Sequence, residues 1–405
     1  MPGRPPGIGT TFEGEKGTTV HLKAIAHGRK RRAAALVAIA GLAVCVAAAS
    51  ASSTHRLSRA AGIADAQKLV TQYSQAPKWK PPGAPFDASK AKGKSIWYVS
   101  LSLSIPFEQY MAQGIKQGAA LVGAKGVGFD GKFSAADAAR GIRLAVQSKA
   151  SVIMLGGVEP SLVAPALADA KKAGIPVIMV NTQDPGPMRT DYPPAVVGMA
   201  THSFSWPGKA EADFITVDSK GKAKILFMST NDLPHITGPE KAAFLNETKR
   251  VCPGCEVEVM NVPSGQWSQL TTKTASYIRA HPDVQYIVPD FDGMVIFALP
   301  GVHSAHAQDK VKIVSFNATP SVMKALKKKD VVVAETGGPN LLQGWALADQ
   351  GLRVAAGEKP LPDIGILDRL FTSANIGSIN LNAQESTWYG KVDYVAAYKK
   401  LWGVS

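Results

Sequence analysis

Cysteine is scarce in this chain. Only three cysteines occur among the 405 residues, and two of them, Cys252 and Cys255, form a C-x-x-C pair in VCPGCEVEV. A redox-active pair lies at a helix N-terminus, where the helix dipole stabilises the thiolate. Here GPEKAAFLNETKRV has a helical pattern that runs into Cys252, and Pro253-Gly254 then stops the helix. We therefore expect a disulfide clip between helix and strand, and not a thiol–disulfide enzyme.

Signatures of nucleotide, metal and serine-hydrolase chemistry are also missing. The sequence contains no G-x-S-x-G, Walker loop, H-E-x-x-H or calcium-loop motif. GVGFDG, over 126–131, matches G-x-G-x-x-G, but a nucleotide fingerprint follows a strand and this segment follows a helix. We interpret it as a strand with Asp130 at its carboxyl end. We expect no cofactor and no metal site.

The positive charge is uneven along the chain. The net charge is +14, and the first 90 residues hold 13 Lys and Arg against 4 Asp and Glu. The remainder is close to balanced, so the composition gives little support to a nucleic-acid partner.

The basic stretch is followed by an apolar run, which is the order of an export signal. HGRKRR, ending at residue 32, precedes the uncharged run 33–49 and then small residues of the A-x-A type. We expect cleavage near Ala51, which leaves Ser52 as the mature start and places the protein in the periplasm or at the cell surface. A lipid anchor at Cys45 and an uncleaved membrane anchor are the alternatives.

After Gly93 the pattern becomes that of an α/β protein. Short β-branched runs such as SIWYVSLS alternate with amphipathic stretches such as PFEQYMAQGIKQGAALVG, in two successive series. Such a pattern predicts two doubly wound lobes with parallel sheets and a hinged ligand cleft between them. The expected organisation is a tail and export signal over 1–51, a spacer over 52–93, lobe 1 over 94–199 completed by about 338–364, lobe 2 over 200–337 completed by about 365–390, and a C-terminal segment over 391–405.

Polar and aromatic residues occur where the predicted strands end, which is the edge at which such sheets bind ligands. Flat aromatic faces with carboxylate and amide groups suit a polyhydroxylated ligand. The candidate binding residues are Ser104, Phe107, Glu108, Asp130, Asn181, Asn231, Trp267, Asp290, Phe291, Asp292, Asn317 and Glu335.

Four further stretches follow one another along the chain: IPFEQYMAQGIKQGA, AGIPVIMVNT, AHPDVQYIVPDFDGM and VKIVSFNATP. In this order they resemble the periplasmic sugar-binding proteins of the ribose-binding type, the substrate-binding components of bacterial ABC transporters. The resemblance implies a monomer without catalytic activity that delivers a sugar or polyol to a permease and its ATPase. It also implies that Phe107 and Trp267 stack on the ligand, that Asn181 and Asn317 take positions of sugar-binding aspartates, and that Phe291 replaces an asparagine.

The sequence departs from that family pattern at several positions. Glu108 stands where the family has a second aromatic, Asn181-Thr182 replaces an Asp-Arg pair, and the binding arginine after ILFMST has no counterpart. These changes favour a neutral or cationic ligand over an acidic one. Two alternatives stay open: a ligand-sensing partner of a signalling protein, and a glycoside-processing enzyme in which Asp130, Asp290 and Asp292 supply a carboxylate pair.

Overall fold

A computed structural model describes residues 58–361, 363–390 and 392–404. The predicted export signal, with Cys45 and Ala51, lies outside these residues. Within the described ranges, no helix has both the length and the apolar character needed to cross a membrane. The described chain begins with helix α1 over 58–73 and the short 3-10 helix Ala88–Ala91.

The first sheet is parallel and has the strand order β2-β1-β3-β4-β5. We call this sheet and the helices that cover it the first lobe. Its elements are β1 (Ser95–Ser100), α2 (Pro106–Leu121), β2 (Lys125–Asp130), α3 (Ala135–Gln147), β3 (Val152–Gly156), the 3-10 helix Pro160–Val163, α4 (Ala164–Lys172), β4 (Val177–Val180) and β5 (Val196–Ala200).

The second sheet has the order β11-β10-β9-β8-β6-β7 and is parallel except for β11. This sheet and its helices form the second lobe. Its elements are α5 (Ser205–Asp218), β6 (Lys224–Ser229), α6 (Pro234–Val251), β7 (Glu256–Asn261), the 3-10 helix Ser264–Gln269, α7 (Leu270–Ala280), β8 (Tyr286–Pro289), α8 (Asp292–Ser304), β9 (Lys312–Phe316), α9 (Pro320–Lys328), β10 (Val332–Gly337) and β11 (Arg369–Thr372). Two short 3-10 helices, Ile376–Ser378 and Glu385–Tyr389, follow β11.

The chain passes between the lobes more than once. Helix α10 (Asn340–Ala356) follows β10 of the second sheet but packs on α2 of the first lobe, and α11 (Tyr394–Trp402) joins the same core. There the rings of Trp345 and Trp402 stack with centroids 5.8 Å apart. The sequence pattern indicated no element over 196–218, where β5 and α5 lie, because the residues before β5 read as one long loop.

Helix α2 follows the predicted periodicity. Met111, Ile115 and Ala119 are buried in the first-lobe core, and Pro106 occupies the first turn, where no hydrogen-bond donor is needed. Glu108 is also buried, and it lies three residues before Met111 on the same face of the helix. Its carboxyl group belongs to the site described below.

Gly114 of α2 and Gly344 of α10 allow these two helices to cross at close range. A Cβ at Gly114 would lie 2.5 Å from the carbonyl carbon of Gly344 and 2.6 Å from its Cα. We expect Gly114→Ala to lower the free energy of unfolding by about 1–3 kcal/mol, because the helices must separate. Urea denaturation measures the change, with Gly265→Ala as control, since no atom lies within 4 Å of a Cβ there. Equal stability of the two variants would contradict the close crossing.

Cys252 and Cys255 are joined by a disulfide at the C-terminal end of α6, with their Cα atoms 5.4 Å apart. The bridge closes the turn that leads into β7. We expect Cys252→Ser with Cys255→Ser to reduce the free energy of unfolding by up to about 2 kcal/mol, since the closed loop is short. Denaturation with and without reductant measures this loss. A wild-type chain that is insensitive to reductant would contradict a stabilising bridge.

Candidate functional site

A cleft lies between the two lobes at the carboxyl edges of their sheets. In the first sheet the strand order reverses between β1 and β3, and in the second between β6 and β8, which are the points where such sheets bind ligands. About 500 Å³ of empty space, which includes open solvent, lies between its walls. It is lined by Leu101, Ile105, Phe107, Glu108, Gly157, Asn181, Phe204, Leu233, Ile236, Trp267, Phe291 and Asn317.

The structure brings half of the sequence-predicted binding residues together in this cleft. The first lobe contributes Phe107, Glu108 and Asn181, and the second lobe contributes Trp267, Phe291 and Asn317. A molecule in the cleft therefore contacts both lobes.

Glu108 presents a carboxyl group to the cleft from the first turn of α2. One oxygen, Oε2, accepts hydrogen bonds from the hydroxyl groups of Tyr98 and Ser100, the latter at 2.8 Å. The other oxygen, Oε1, faces Gly157 of the cleft wall. Burial raises the pKa of Glu108, and the two hydroxyl donors partly offset that rise. Oε1 can therefore interact with a bound molecule.

Asn181 and Asn317 follow strands β4 and β9, and both adopt positive backbone φ angles, of 51° and 122°. Such angles are uncommon outside glycine, and they concentrate at ligand sites. Both side chains are more than nine-tenths buried. Oδ1 of Asn181 has no hydrogen-bond partner in the described protein. A buried amide oxygen without a partner costs free energy, so this atom is suited to a donor from a ligand.

Aromatic side chains form much of the cleft wall. The ring centroids of Trp267 and Phe291 lie 6.3 Å apart, and the ring of Phe316 lies 6.3 Å from Phe291 and 6.4 Å from Phe204. The indole N–H of Trp267 donates to Oγ1 of Thr230 at 3.2 Å, so the cleft receives the ring of Trp267 and not its polar group.

Three predicted acidic residues lie in the interior of the second lobe and not in the cleft wall. Asp290 accepts a hydrogen bond from the backbone N–H of Thr230, and its own side chain is fully buried. Asp292 accepts from Thr319 N–H at 2.7 Å. Glu335 accepts from the N–H of Ala318 at 2.9 Å. These bonds fix the loops behind Trp267 and Asn317, so the three carboxyl groups support the site from behind.

The three remaining predicted residues also lie outside the wall. Oδ1 of Asp130 accepts from the backbone N–H groups of Leu103 and Lys132, both at 2.9 Å, and so ties the loop after β1 to the end of β2. Ser104 and Asn231 are exposed.

Six lining residues were not predicted: Leu101, Ile105, Gly157, Phe204, Leu233 and Ile236. All except the glycine are apolar, and the sequence reasoning searched strand ends for polar and aromatic groups only. Phe204 is aromatic and follows β5, so that search would have found it if β5 had been recognised.

In the ranges 58–361, 363–390 and 392–404, no group of three or more His, Cys, Asp or Glu side chains has an arrangement that could hold a metal ion.

Comparison with known proteins identifies the family. Residues 96–359 match the model of the periplasmic binding protein domain. A protein from Mycobacterium smegmatis in complex with β-D-fucofuranose is 18% identical, with a TM-score of 0.63, and the match covers 74% of this chain and 98% of that one. A galactofuranose-binding protein is 17% identical, with a TM-score of 0.62 and coverage of 73% and 100%.

An ABC transporter solute-binding protein from Bacillus halodurans with bound myo-inositol is 16% identical, with a TM-score of 0.61 and coverage of 71% and 97%. These likenesses show a shared fold. No curated protein matches the chain. With the family model matching well over half of its length, the chain belongs to the periplasmic binding protein domain family.

Proposed function

We propose that this protein binds a small ligand of the sugar or polyol class in the cleft between its lobes and delivers it to the permease of an ABC transporter. The observation that supports this most is the cleft itself, where residues of both lobes meet and Oδ1 of buried Asn181 has no protein partner. Similar folds occur in proteins with bound β-D-fucofuranose and myo-inositol, which agrees with this ligand class.

The two-lobed lining provides a mechanism. A ligand that contacts Glu108 and Asn181 on one lobe and Trp267 and Asn317 on the other gains its full contacts only when the lobes are closed. The free energy of those contacts then shifts the population towards the closed form. A permease that recognises the closed form would be loaded preferentially with ligand.

Binding without catalysis is part of the proposal. Among the described lining residues, Glu108 is the one carboxyl group, whereas glycoside cleavage normally uses a pair about 5 to 9.5 Å apart. Asp130, Asp290 and Asp292 are engaged in bonds to loop backbone. A signalling partner in place of the permease would use the same cleft, and turnover of a bound glycoside would favour the enzyme.

Export completes the proposal. The basic and apolar segments of the first 51 residues direct the chain out of the cytoplasm, with cleavage near Ala51 or, in the alternative, a lipid at Cys45. The mature protein acts as a monomer whose membrane contact is through the permease or an anchor. Mass determination of the secreted chain distinguishes a free N-terminus at Ser52 from a lipidated one.

A thermal-shift screen of the chain from Ser52 tests the binding function. Monosaccharides, polyols, short oligosaccharides and amino acids are compared at equal concentration. A ligand at about 100 times its dissociation constant adds about 2.7 kcal/mol to the free energy of unfolding. We expect shifts confined to one chemical class. Consumption of a glycoside without any stabilisation would contradict a binding protein.

A further inference from the structure

The wall of the cleft is mostly apolar. Glu108, Asn181 and Asn317 are its polar side chains, and the others are aliphatic or aromatic apart from one glycine. The indole N–H of Trp267 is already bonded to Thr230, so this residue adds no polar group. A ligand thus meets few groups with which to form hydrogen bonds and a large area of carbon.

The three polar side chains of the wall are unevenly divided between the lobes. Glu108 and Asn181 belong to the first lobe, and Asn317 belongs to the second. On the first-lobe side, Oε1 of Glu108 and the unpartnered Oδ1 of Asn181 can accept hydrogen bonds, and the NH2 group of Asn181 can donate one. No lysine or arginine is among the described lining residues, so the wall offers no cation for an acidic group.

A fully hydroxylated ring fits this wall poorly. Such a ring has a hydroxyl group on nearly every carbon, and each one that enters the cleft against leucine, isoleucine or phenylalanine loses water without gaining a partner. Rings with an apolar body leave no polar group without a partner there. Their burial against Phe204, Trp267 and Phe291 stabilises the complex.

We infer that the cleft selects a small ring compound with an apolar body and few polar groups, one of which is a hydrogen-bond donor directed at Glu108 and Asn181. Deoxygenated members of the sugar and polyol class meet this description. The inference rests on the proposed function, because it names the kind of ligand that the same cleft would take.

A series with one ring and a rising number of hydroxyl groups tests it: cyclohexanol, a cyclohexanediol and myo-inositol. Calorimetric titration of the chain from Ser52 measures each affinity. We expect the diol to bind about tenfold or more tightly than myo-inositol. Affinity that rises steadily with the number of hydroxyl groups would overturn the inference, yet it would leave the solute-binding function standing. If no sugar, polyol or ring compound binds, both are contradicted.

The role of Glu108 requires a second arm with a conservative variant. In Glu108→Gln the amide oxygen can still accept from Tyr98 and Ser100, and an NH2 group faces the cleft in place of Oε1. Cyclohexylammonium can only donate, so we expect its affinity to fall about tenfold or more in the variant. Cyclohexanol can also accept, so its affinity should change little.

This comparison separates a binding role from a folding role. A purely structural Glu108 would change both affinities equally, and equal changes would overturn the assignment of Glu108 as the acceptor. Tighter binding of cyclohexanol than of cyclohexylammonium by the wild type would identify the donor as a hydroxyl group. The opposite order would identify it as an amine.

Discussion

Replacing Trp267 by alanine is expected to weaken ligand binding about 30-fold or more. The ring of Trp267 lines the cleft beside Phe291, and truncating an aromatic anchor at the centre of an interface commonly costs about 2–4 kcal/mol of binding free energy. Calorimetric titration with the compound that binds most tightly in the screen measures the loss.

The control for Trp267→Ala is Trp206→Ala. Trp206 packs against Tyr73 at 5.0 Å between centroids and is not among the cleft residues. We expect the control to lower stability and to leave affinity unchanged. Because Trp267 is also part of the second-lobe core, Phe291→Leu serves as a milder cleft variant. Wild-type affinity in folded Trp267→Ala would contradict ligand binding in this cleft.

Thermal stability is expected to fall as the pH rises from about 6.5 to 8. The second lobe contains six carboxyl groups with side chains no more than 1% exposed: Glu211, Asp213, Glu240, Asp290, Asp292 and Glu335. Burial raises the pKa of each, those of Asp213 and Asp290 to about 8 and that of Asp292 to about 6. Repulsion between neighbouring carboxylates raises the pKa of Glu211, Glu240 and Glu335 further.

The direction of this pH dependence follows from proton binding. Between the unfolded and the folded pKa of a buried carboxyl group, the folded chain holds a proton that the unfolded chain has lost. Raising the pH therefore favours unfolding, by about 1.4 kcal/mol per pH unit for each such group, until the folded pKa is passed. Below about pH 6.5, His202 has the opposite effect. Burial lowers the pKa of His202 to about 4, so above that pH the folded chain lacks a proton that the unfolded chain still holds, and raising the pH favours folding. The window therefore begins at about 6.5.

Melting temperatures measured across this window check the trend. We expect a fall of about 2 °C or more per pH unit, with a smaller slope in Asp290→Asn, whose amide oxygen can still accept from Thr230. Asp283→Asn is the matched control, because Asp283 lies at the surface beside Lys224 and its pKa is lowered. A melting temperature that stays level or rises up to pH 8 would contradict the protonated carboxyl groups.

Hydrophobic periodicity predicted most of the fold. Strands such as Val152–Gly156 are short and wholly apolar, and α3 begins at the capping residue Ser134, so the alternation of elements is visible in the sequence. The region from 196 to 218 was missed because the strand VVGMA is short and follows a proline-rich loop. The close crossing of α10 over α2 depends on the fit of Gly114 against Gly344, which periodicity does not encode.

The site was predicted less well than the fold, and the reason is physical. Residues at the ends of parallel strands gather at one edge, so Asn181 and Asn317 could be placed near a cleft from sequence. Whether a carboxyl group at such an end faces the ligand or binds a loop depends on side-chain direction. The carboxyl groups of Asp290 and Asp292 both accept hydrogen bonds from backbone N–H groups of neighbouring loops.

The aliphatic residues of the cleft wall were not predicted from the sequence. A residue such as Ile236 or Leu233 in a helix start is usually core, and nothing in its local sequence distinguishes a core residue from one that contacts a ligand. The cleft wall combines apolar and polar residues from both lobes, which are distant in sequence.

A crystal structure of the chain with the tightest-binding compound of the screen tests the central claim most directly. The account predicts one molecule between the lobes, in contact with Phe107 of the first lobe and Trp267 of the second, with a polar group within hydrogen-bonding distance of Asn181 Oδ1. A compound bound outside this cleft, or in contact with one lobe alone, would contradict capture by closure of the two lobes.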